Sequence, residues 1–529
     1  MPPRTRPIVA AVALLAAACS STAVDETPDA APATSVAVTT TTQGSAPTTT
    51  EPAATPAPTT TEPAPDEPEP DTTPAPAPEE LPAPTTTMPP TEAEGLGDSF
   101  YPFLGNGGYD VLHYNIDLNV DTEANEISAL AGITASATQD LEEFNLDLSG
   151  MDVLAVVVAG ADGSNPVDAE FTRTGHELSI QPGRLLTEGT VFTTSVLYTG
   201  WPEPLNDPGV PFFEVGWQEQ DGVVYTVSEP SGAMTWFPSN NHPADKATFE
   251  IRITVPEGLV AASNGLLTSE TTKGGKTTFE WRMDDPMATY LAAVYIGDFE
   301  RIDHGPLYEG GPLLRDYVPS DSPPEMVDAL AVTPDVLTFL EELLGPYPFD
   351  AYGTIVMPFP LGFALENQTL SVHGNDTLIP WVIAHEVAHQ WLGNSVVPDD
   401  WSEIWMNEGF ATYLHLMFQS EEAGTDFNDD MAHLHAQLVG AGIGPPRGIV
   451  LEDLFGPSVY YRGAATLHAL RLHTGDETFF GILRAHYDRS AGGTTNTAEF
   501  LALVDEMAGP DAVDLVESWL YDEAVPDTL

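Results

Sequence analysis

Residues 383–394 read Ile-Ala-His-Glu-Val-Ala-His-Gln-Trp-Leu-Gly-Asn, "IAHEVAHQWLGN". His385 and His389 stand four residues apart with Glu386 between them. On a helix, residues i and i+4 share one face about a turn apart. At that separation two imidazole nitrogens can each reach one cation at about 2.0–2.1 Å. Glu386, rotated one residue round the axis, is placed to act as general base on a water at the cation rather than to ligate it. The plain alternative is a pair of ordinary histidines on a buried helix. Further along, "WMNEGFATYL" (405–414) offers Glu408 near the start of another helix, with 18 residues separating it from His389. That length lets the chain end one helix, turn and lay the next alongside. Two histidines and one carboxylate make a hydrolytic zinc set with a fourth position open. One Zn2+ ion held by His385, His389 and Glu408 is therefore expected.

Working outward, apolar spacing predicts helices over 379–393, 402–420, 463–474, 477–487, 497–506 and 512–521, and a helical run over 324–345. Before about residue 302 the texture differs. "YDVLHYNIDLNVD" (109–121), "VFTTSVLYTG" (191–200), "ATFEIRITVP" (247–256) and "YLAAVYIGDFE" (290–300) alternate or run apolar between Gly, Pro and Asp turns. Such a pattern predicts strands. The expected fold is a multidomain α+β chain: an all-β saddle or sandwich over 99–305, then a mainly helical catalytic domain over 306–529.

The chain begins with Arg4 and Arg6, an apolar run from Ile8 to Ala18, and small residues leading into Cys19. Residues 1–19 read as a signal peptide, and "LLAAACSS" resembles a bacterial lipobox, which implies lipidation of Cys19. Cleavage nearby with simple secretion is the alternative, and Ala16 stands where leucine is usual. The apolar run is too short for the roughly 20 residues that span a bilayer. Residues 20–98 are rich in Thr, Pro, Ala and Glu and poor in aromatics, a composition that cannot bury enough apolar surface to fold. They read as a disordered tether. The expected location is the cell surface, anchored by lipid to the outer face of the membrane.

The protein has 80 acidic and 16 basic residues among 529 and a formal net charge of -64. Of the acids, 66 lie from Ser99 onward, against 14 bases, so the folded part carries the excess. Phosphate backbones would be repelled, which excludes nucleic acid as a partner. A solvated acidic shell suited to salty surroundings is the plain reading of this charge. The lone cysteine excludes an intrachain disulfide framework.

With the motifs set side by side, the chain from about 110 to 529 resembles the M1 family of zinc aminopeptidases, gluzincins with a site of the aminopeptidase N type. "HEVAHQWLGN" followed after 18 residues by Glu408 in "NEGFATY" carries the resemblance. "FALEN" (363–367) resembles the family's GAMEN motif, with Phe363 in place of its first glycine. "VYYRGAATLHALR" (459–471) resembles the segment written Y-x-K-G-A, with Arg462 in place of lysine. "EPSGAMTWFPSNNHPADKATFEI" (229–251) resembles a stretch at the end of the family's β domain.

The resemblance implies a thermolysin-like catalytic part with a β saddle before it; the long C-terminal helical domain of many relatives is not expected here, which implies a more open cleft. It implies peptide substrates with a free N-terminus, bound by Glu366, Glu229, Ala364 and Asn367. It implies Glu386 as the base and Tyr460 as oxyanion donor, with neighbouring Tyr461 as the competitor. An exposed strand acid at 366, a turn glutamate at 229 and a helix-start aromatic at 460 are the plain readings of those residues. Trp391, Trp401 and Trp405 read as core around the metal helices, and Asn407 as support for the Glu408 turn. An epoxide-opening hydrolase, or a non-catalytic adhesion or scaffold protein that kept the fold, are the rival functions. The sequence leaves the oligomeric state open.

Overall fold

The strand Tyr109–Asp121 shows how the first half is built. Tyr109 and Val111 face inward, then a bulge between Val111 and His113 shifts the register, and Tyr114, Ile116, Leu118 and Val120 resume the inward face. Period-2 alternation is kept on each side of the bulge, so one face of the sheet stays apolar. The computed structural model describes residues 95–529. The signal-like run, Cys19 and the tether up to residue 94 lie outside the described residues. Among the described residues no helix is long and apolar enough to cross a membrane.

Tyr109–Asp121 sits in an eight-stranded sheet whose order is 266–273, 276–287, 247–256, 109–121, 126–137, 191–200, 152–160 and 167–168. The pairing of 109–121 with 247–256 is parallel, the others in this sheet antiparallel. A five-stranded sheet (260–263, 294–297, 223–227, 214–220, 205–206) and a three-stranded one (144–147, 177–181, 170–174) complete the first half. The β-rich reading of this half is seen directly. The run 290–300, expected as a single strand, is broken: Thr289–Leu291 is a tight helical turn and strands follow at Val294–Gly297 and Phe299–Pro306. The stretch 229–251, expected at the end of the β domain, lies in its middle, with five strands from 247 to 297 after it or beginning within it.

The join between the halves differs from expectation. Phe299–Pro306 pairs antiparallel with Leu313–Pro319, and that hairpin opens a sheet continued by Thr354–Val356, Ser371–His373 and the edge strand Ala364–Leu365. The boundary expected between 305 and 306 therefore cuts a hairpin whose hydrogen bonds tie both strands to the second half. The tether expected to run through 98 also ends earlier. Asp98 is buried, and its carboxylate accepts from the backbone N–H of Phe100, Tyr101 and Trp401, each at 2.8 Å.

In the second half we label the helices α1 (Pro324–Leu330), α2 (Thr333–Leu344), α3 (Pro380–His389), α4 (Trp405–Ala423), α5 (Phe427–Ala441), α6 (Gly463–Thr474), α7 (Asp476–Ser490), α8 (Thr497–Ala508) and α9 (Pro510–Tyr521). Helix α5 was not expected. Only Met431, Leu434 and Leu438 are buried on it, a stripe too thin among polar residues to register as periodicity. Helix α3 is shorter than expected because the chain turns after His389: Asn394 N–H bonds His389 O at 2.9 Å and Gly393 adopts φ 137. The tryptophans 391, 401 and 405 are all core.

Helices α4 and α6 touch backbone to backbone at Gly409 and Gly463. A Cβ on Gly463 would lie 2.9 Å from Gly409 Cα, and one on Gly409 3.0 Å from Gly463 Cα. No flexible side chain is there to give way. Gly463→Val is expected to force the helices apart and cost about 1–3 kcal/mol of stability, the usual range for overpacking. Thermal unfolding checks this; an unchanged midpoint would mean the helices are not in firm contact.

Candidate metal centre

His385 and His389 lie on α3 and Glu408 in the first turn of α4, and the packing of these two helices brings the three side chains together. His385 Nε2 is 3.0 Å from His389 Nε2 and 3.1 Å from Glu408 Oε2, and His389 Nε2 is 3.5 Å from the same oxygen. Ligands about 2.0–2.2 Å from one ion in tetrahedral array are separated by about 3.3–3.6 Å. The 3.5 Å separation lies in that range and the other two are a few tenths of an ångström shorter, so the three donor atoms are gathered in a triangle that a bound ion would widen slightly.

Each imidazole is held through its other nitrogen. His389 Nδ1 is 3.2 Å from Leu392 O, and His385 Nδ1 is 3.0 Å from His415 Nδ1. Donation of Nδ1–H to these partners leaves Nε2 as the lone-pair donor on each ligand, the usual arrangement around a ligated imidazole. Gly393 lets the chain pass His389 closely, since a Cβ there would sit 2.7 Å from Nδ1. His415 was missed by the sequence reading. The signal was available: it follows Glu408 by seven residues, two turns along α4, and so shares its face.

The electrostatics favour a cation. Burial pushes Glu408 upward, but the imidazoles, His389 foremost, outweigh it and hold the carboxyl at about 2. Burial opposes charge on His389, yet Glu408 and Glu366 raise it to about 10. A pocket that draws a proton this strongly onto one imidazole suits a dication equally well. The donor set, two imidazoles and a carboxylate, fits zinc.

A half-open cleft lies over the triad. Glu386, Tyr460, Glu366, Glu229 and Ala364 all line it. Glu386 is buried beside the ligands; burial lifts its carboxyl well above the usual range, His389 opposes this, and Glu366 and Glu408 add to it. Tyr460 stacks on His385 with ring centroids 5.9 Å apart, in a widened π-type turn over Ser458–Arg462. Tyr461 reaches the same cleft wall. Burial and then Glu408 raise the Tyr460 phenol well above its ordinary value, which keeps its proton in place for donation.

Glu366 and Glu229 are buried rather than exposed, and each leaves its Oε1 without a hydrogen-bond partner. Oxygens of Glu229, Glu366 and Glu408 lie within 4.8 Å of one another. Glu366 follows the edge strand Ala364–Leu365, and its backbone carbonyl is clamped by Gln390 Nε2 at 2.9 Å and Asn394 Nδ2 at 2.7 Å. Neither Gln390 nor Asn394 was singled out from sequence. Asn367, expected at the substrate, does not line the cleft. Its amide is engaged elsewhere: Oδ1 accepts from Tyr295 OH at 2.7 Å and Nδ2 donates to Leu291 O at 3.2 Å. It locks the turn behind Glu366. Asn407 Nδ2 is 3.5 Å from Tyr290 OH, which donates to Gly393 O at 2.6 Å, so it does brace the α3–α4 junction. Arg462 is fully buried and donates to the carbonyls of Trp519 and Ile443, anchoring the last helix instead of facing the cleft.

The sequence profile of the peptidase family M1 domain matches residues 329–519, and that of the peptidase M1 N-terminal domain matches 111–291. Aminopeptidase M1 of Arabidopsis thaliana is 28% identical over 379 residues, covering 66% of this chain and 42% of that protein. The chain thus spans less than half the length of that relative. Leukotriene A-4 hydrolase of Xenopus laevis is 24% identical over 456 residues, covering 79% of this chain and 72% of that protein. A crystal structure of an M1 zinc metallopeptidase from Deinococcus radiodurans superposes with a TM-score of 0.76 at 32% identity, covering 82% of this chain and 99% of the other. A mutant of that protein has been crystallised with a Tyr-Ser-Ala substrate. With both family domains matched in order and the zinc-ligand geometry in place, this chain belongs to peptidase family M1.

Proposed function

We infer that the protein is a zinc-dependent aminopeptidase that removes N-terminal residues from peptides. One observation carries this reading: two buried carboxylate oxygens, Glu229 Oε1 and Glu366 Oε1, stand unpaired beside the metal triad in the same cleft. An unpaired buried carboxylate is costly, and an ammonium group resolves the cost by charge-assisted hydrogen bonds. A substrate α-ammonium held there places the first peptide carbonyl next to the metal ligands. An endopeptidase would have no use for such a trap.

His385, His389 and Glu408 would hold the ion. When bound, zinc supplies Lewis-acid polarisation of the scissile carbonyl and lowers the pKa of water. Glu386 takes a proton from the attacking water and passes it to the leaving amine. Its environment, which resists ionisation, suits a group that must both accept and return a proton. Tyr460 donates its hydroxyl proton to the oxygen that gains charge as water attacks. The edge strand Ala364–Leu365 offers unpaired backbone groups along which an extended peptide can align.

The walls of the cleft suggest which side chains enter. Phe363 stacks on Phe213 with centroids 4.4 Å apart, and Phe212, Trp381, Val382 and Phe455 join them. Such a lining favours bulky apolar N-terminal residues over small or charged ones.

Three outcomes test the reading. Glu386→Gln should lower kcat by about 10²–10⁴-fold, the range of general acid–base catalysis, while zinc content stays at one equivalent at this site; full residual turnover would remove Glu386 from the chemistry. Glu366→Ala combined with Glu229→Ala should cut kcat/KM for free peptides by at least about 10-fold, as expected for lost hydrogen bonds to a charge, and erase the preference over N-acetylated peptides. Equal cleavage of free and acetylated peptides by the unaltered protein would instead point to an endopeptidase. Phe363→Gly should reduce the kcat/KM ratio of a Phe- over an Ala-aminoacyl substrate by about 10-fold, as expected for loss of an aromatic contact surface. An unchanged ratio would place the side-chain pocket elsewhere.

A further inference from the structure

Far from the cleft in sequence terms, a second group of ligand-type side chains gathers at the edge of the three-stranded sheet. Strand Phe144–Asp147 pairs antiparallel with Glu177–Gln181, and Asp147 and Glu177 are direct cross-strand partners. Like charges set opposite each other are destabilising unless something positive lies between them. His176 sits beside them in the two-residue turn that joins Glu170–Thr174 to Glu177–Gln181. Its Nε2 is 3.7 Å from Asp147 Oδ1, 3.7 Å from a Glu177 carboxylate oxygen and 2.9 Å from Phe103 O. Suitable atoms of the three side chains lie within 4.8 Å of one another.

Asp147 gives the independent sign that something is bound. Its side chain is fully buried. Oδ2 is well satisfied, accepting from Gly105 N–H at 3.1 Å, Asn106 Nδ2 at 3.3 Å and Asn241 N–H at 2.9 Å. Oδ1 has no hydrogen-bond partner and faces His176 and Glu177. A hydrogen on His176 Nε2 does not resolve this. Its Nε2 carries one hydrogen, and Phe103 O, at 2.9 Å, is better placed to take it than either carboxylate at 3.7 Å.

A divalent ion would. Ligand atoms about 2.0–2.2 Å from one ion are separated by about 3.3–3.8 Å at tetrahedral to trigonal angles, which matches the two 3.7 Å separations from His176 Nε2, with the two carboxylate oxygens within 4.8 Å of each other. An imidazole nitrogen with two carboxylates is a borderline set that favours zinc-like ions over calcium, which takes oxygen ligands alone. The geometry points to a second metal site in this protein: a zinc-class divalent ion held by His176, Asp147 and Glu177, with Phe103 O, released from its hydrogen bond to His176 Nε2, as the fourth ligand. The role is structural. The ion would clamp the hairpin turn and the loop at Phe103 to Asp147, whose other oxygen holds Asn241. Asn241 in turn donates to Ser231 O at 2.8 Å, close to Glu229 in the chain.

The test counts metal in the full chain, stripped with chelator, reloaded with Zn2+ and dialysed. The unaltered protein should retain two equivalents, and His176→Ala or Glu177→Gln one, with peptidase turnover retained in both. In a His385→Ala/His389→Ala background, added Zn2+ should still raise the thermal unfolding midpoint, and His176→Ala should abolish that rise. Both substituted groups of the new site are partly exposed, so loss of folding would not imitate the result. One equivalent in the unaltered protein and in His176→Ala alike overturns the proposal, as does a midpoint in the double variant that Zn2+ leaves unmoved. A rise produced by Ca2+ and not by Zn2+ overturns the assignment to a zinc-class ion.

Discussion

The whole arrangement depends on how closely α3 and α4 approach one another. Neither helix holds a metal site alone: α3 offers two nitrogens and α4 one oxygen, and the three converge to 3.0–3.5 Å only because the helices pack side by side. The packing is fixed from behind. On its far side α4 meets α6 at Gly409 and Gly463, one residue from Glu408, with nothing but backbone between them. At the front, Tyr290 and Asn407 join the start of α4 to the turn that ends α3. A displacement of 1 Å at this junction would spoil a coordination sphere whose bond lengths tolerate only about 0.2 Å.

That junction concentrates negative charge. Glu229, Glu366, Glu386 and Glu408 are all buried around two imidazoles. Four carboxylates out of water are affordable only where cations offset them. In the function proposed above, a metal ion and a substrate ammonium would supply that offset at two adjacent points, which would divide the carboxylates by task. Glu408 faces the imidazoles and stays ionised, whereas Glu229 and Glu386 resist ionisation in the absence of a cation. The same logic, a buried carboxylate oxygen with no partner, singles out Asp147 in the β half.

Much of this was legible in the residues. The His-Glu-x-x-His spacing and the distance to Glu408 located the metal triad because helical geometry is local and fixed. Helix α6 was placed to the residue for the same reason. The misplaced parts share a cause. Asn367 belongs to a recognisable motif, but where its amide points is set by Tyr295 and Leu291, distant in the chain. The domain boundary was drawn through a hairpin because a composition change shows where helices begin, not which sheet a strand joins. Asp98 looked like tether, and only its three backbone donors, one of them at Trp401, bring it into the fold.

By itself the sequence determined which side chains could bind metal, the order of a β-rich half and a helical half, and the excess of acid, because these follow from residue identity and short-range periodicity. Only the tertiary structure decided which acids among the described residues are buried and left unpaired, that His415 backs His385, and that His176 meets Asp147 across a strand pair. The physical reason is distance. Charge, desolvation and hydrogen bonding act over a few ångströms in space, and residues that close can lie hundreds of positions apart along the chain.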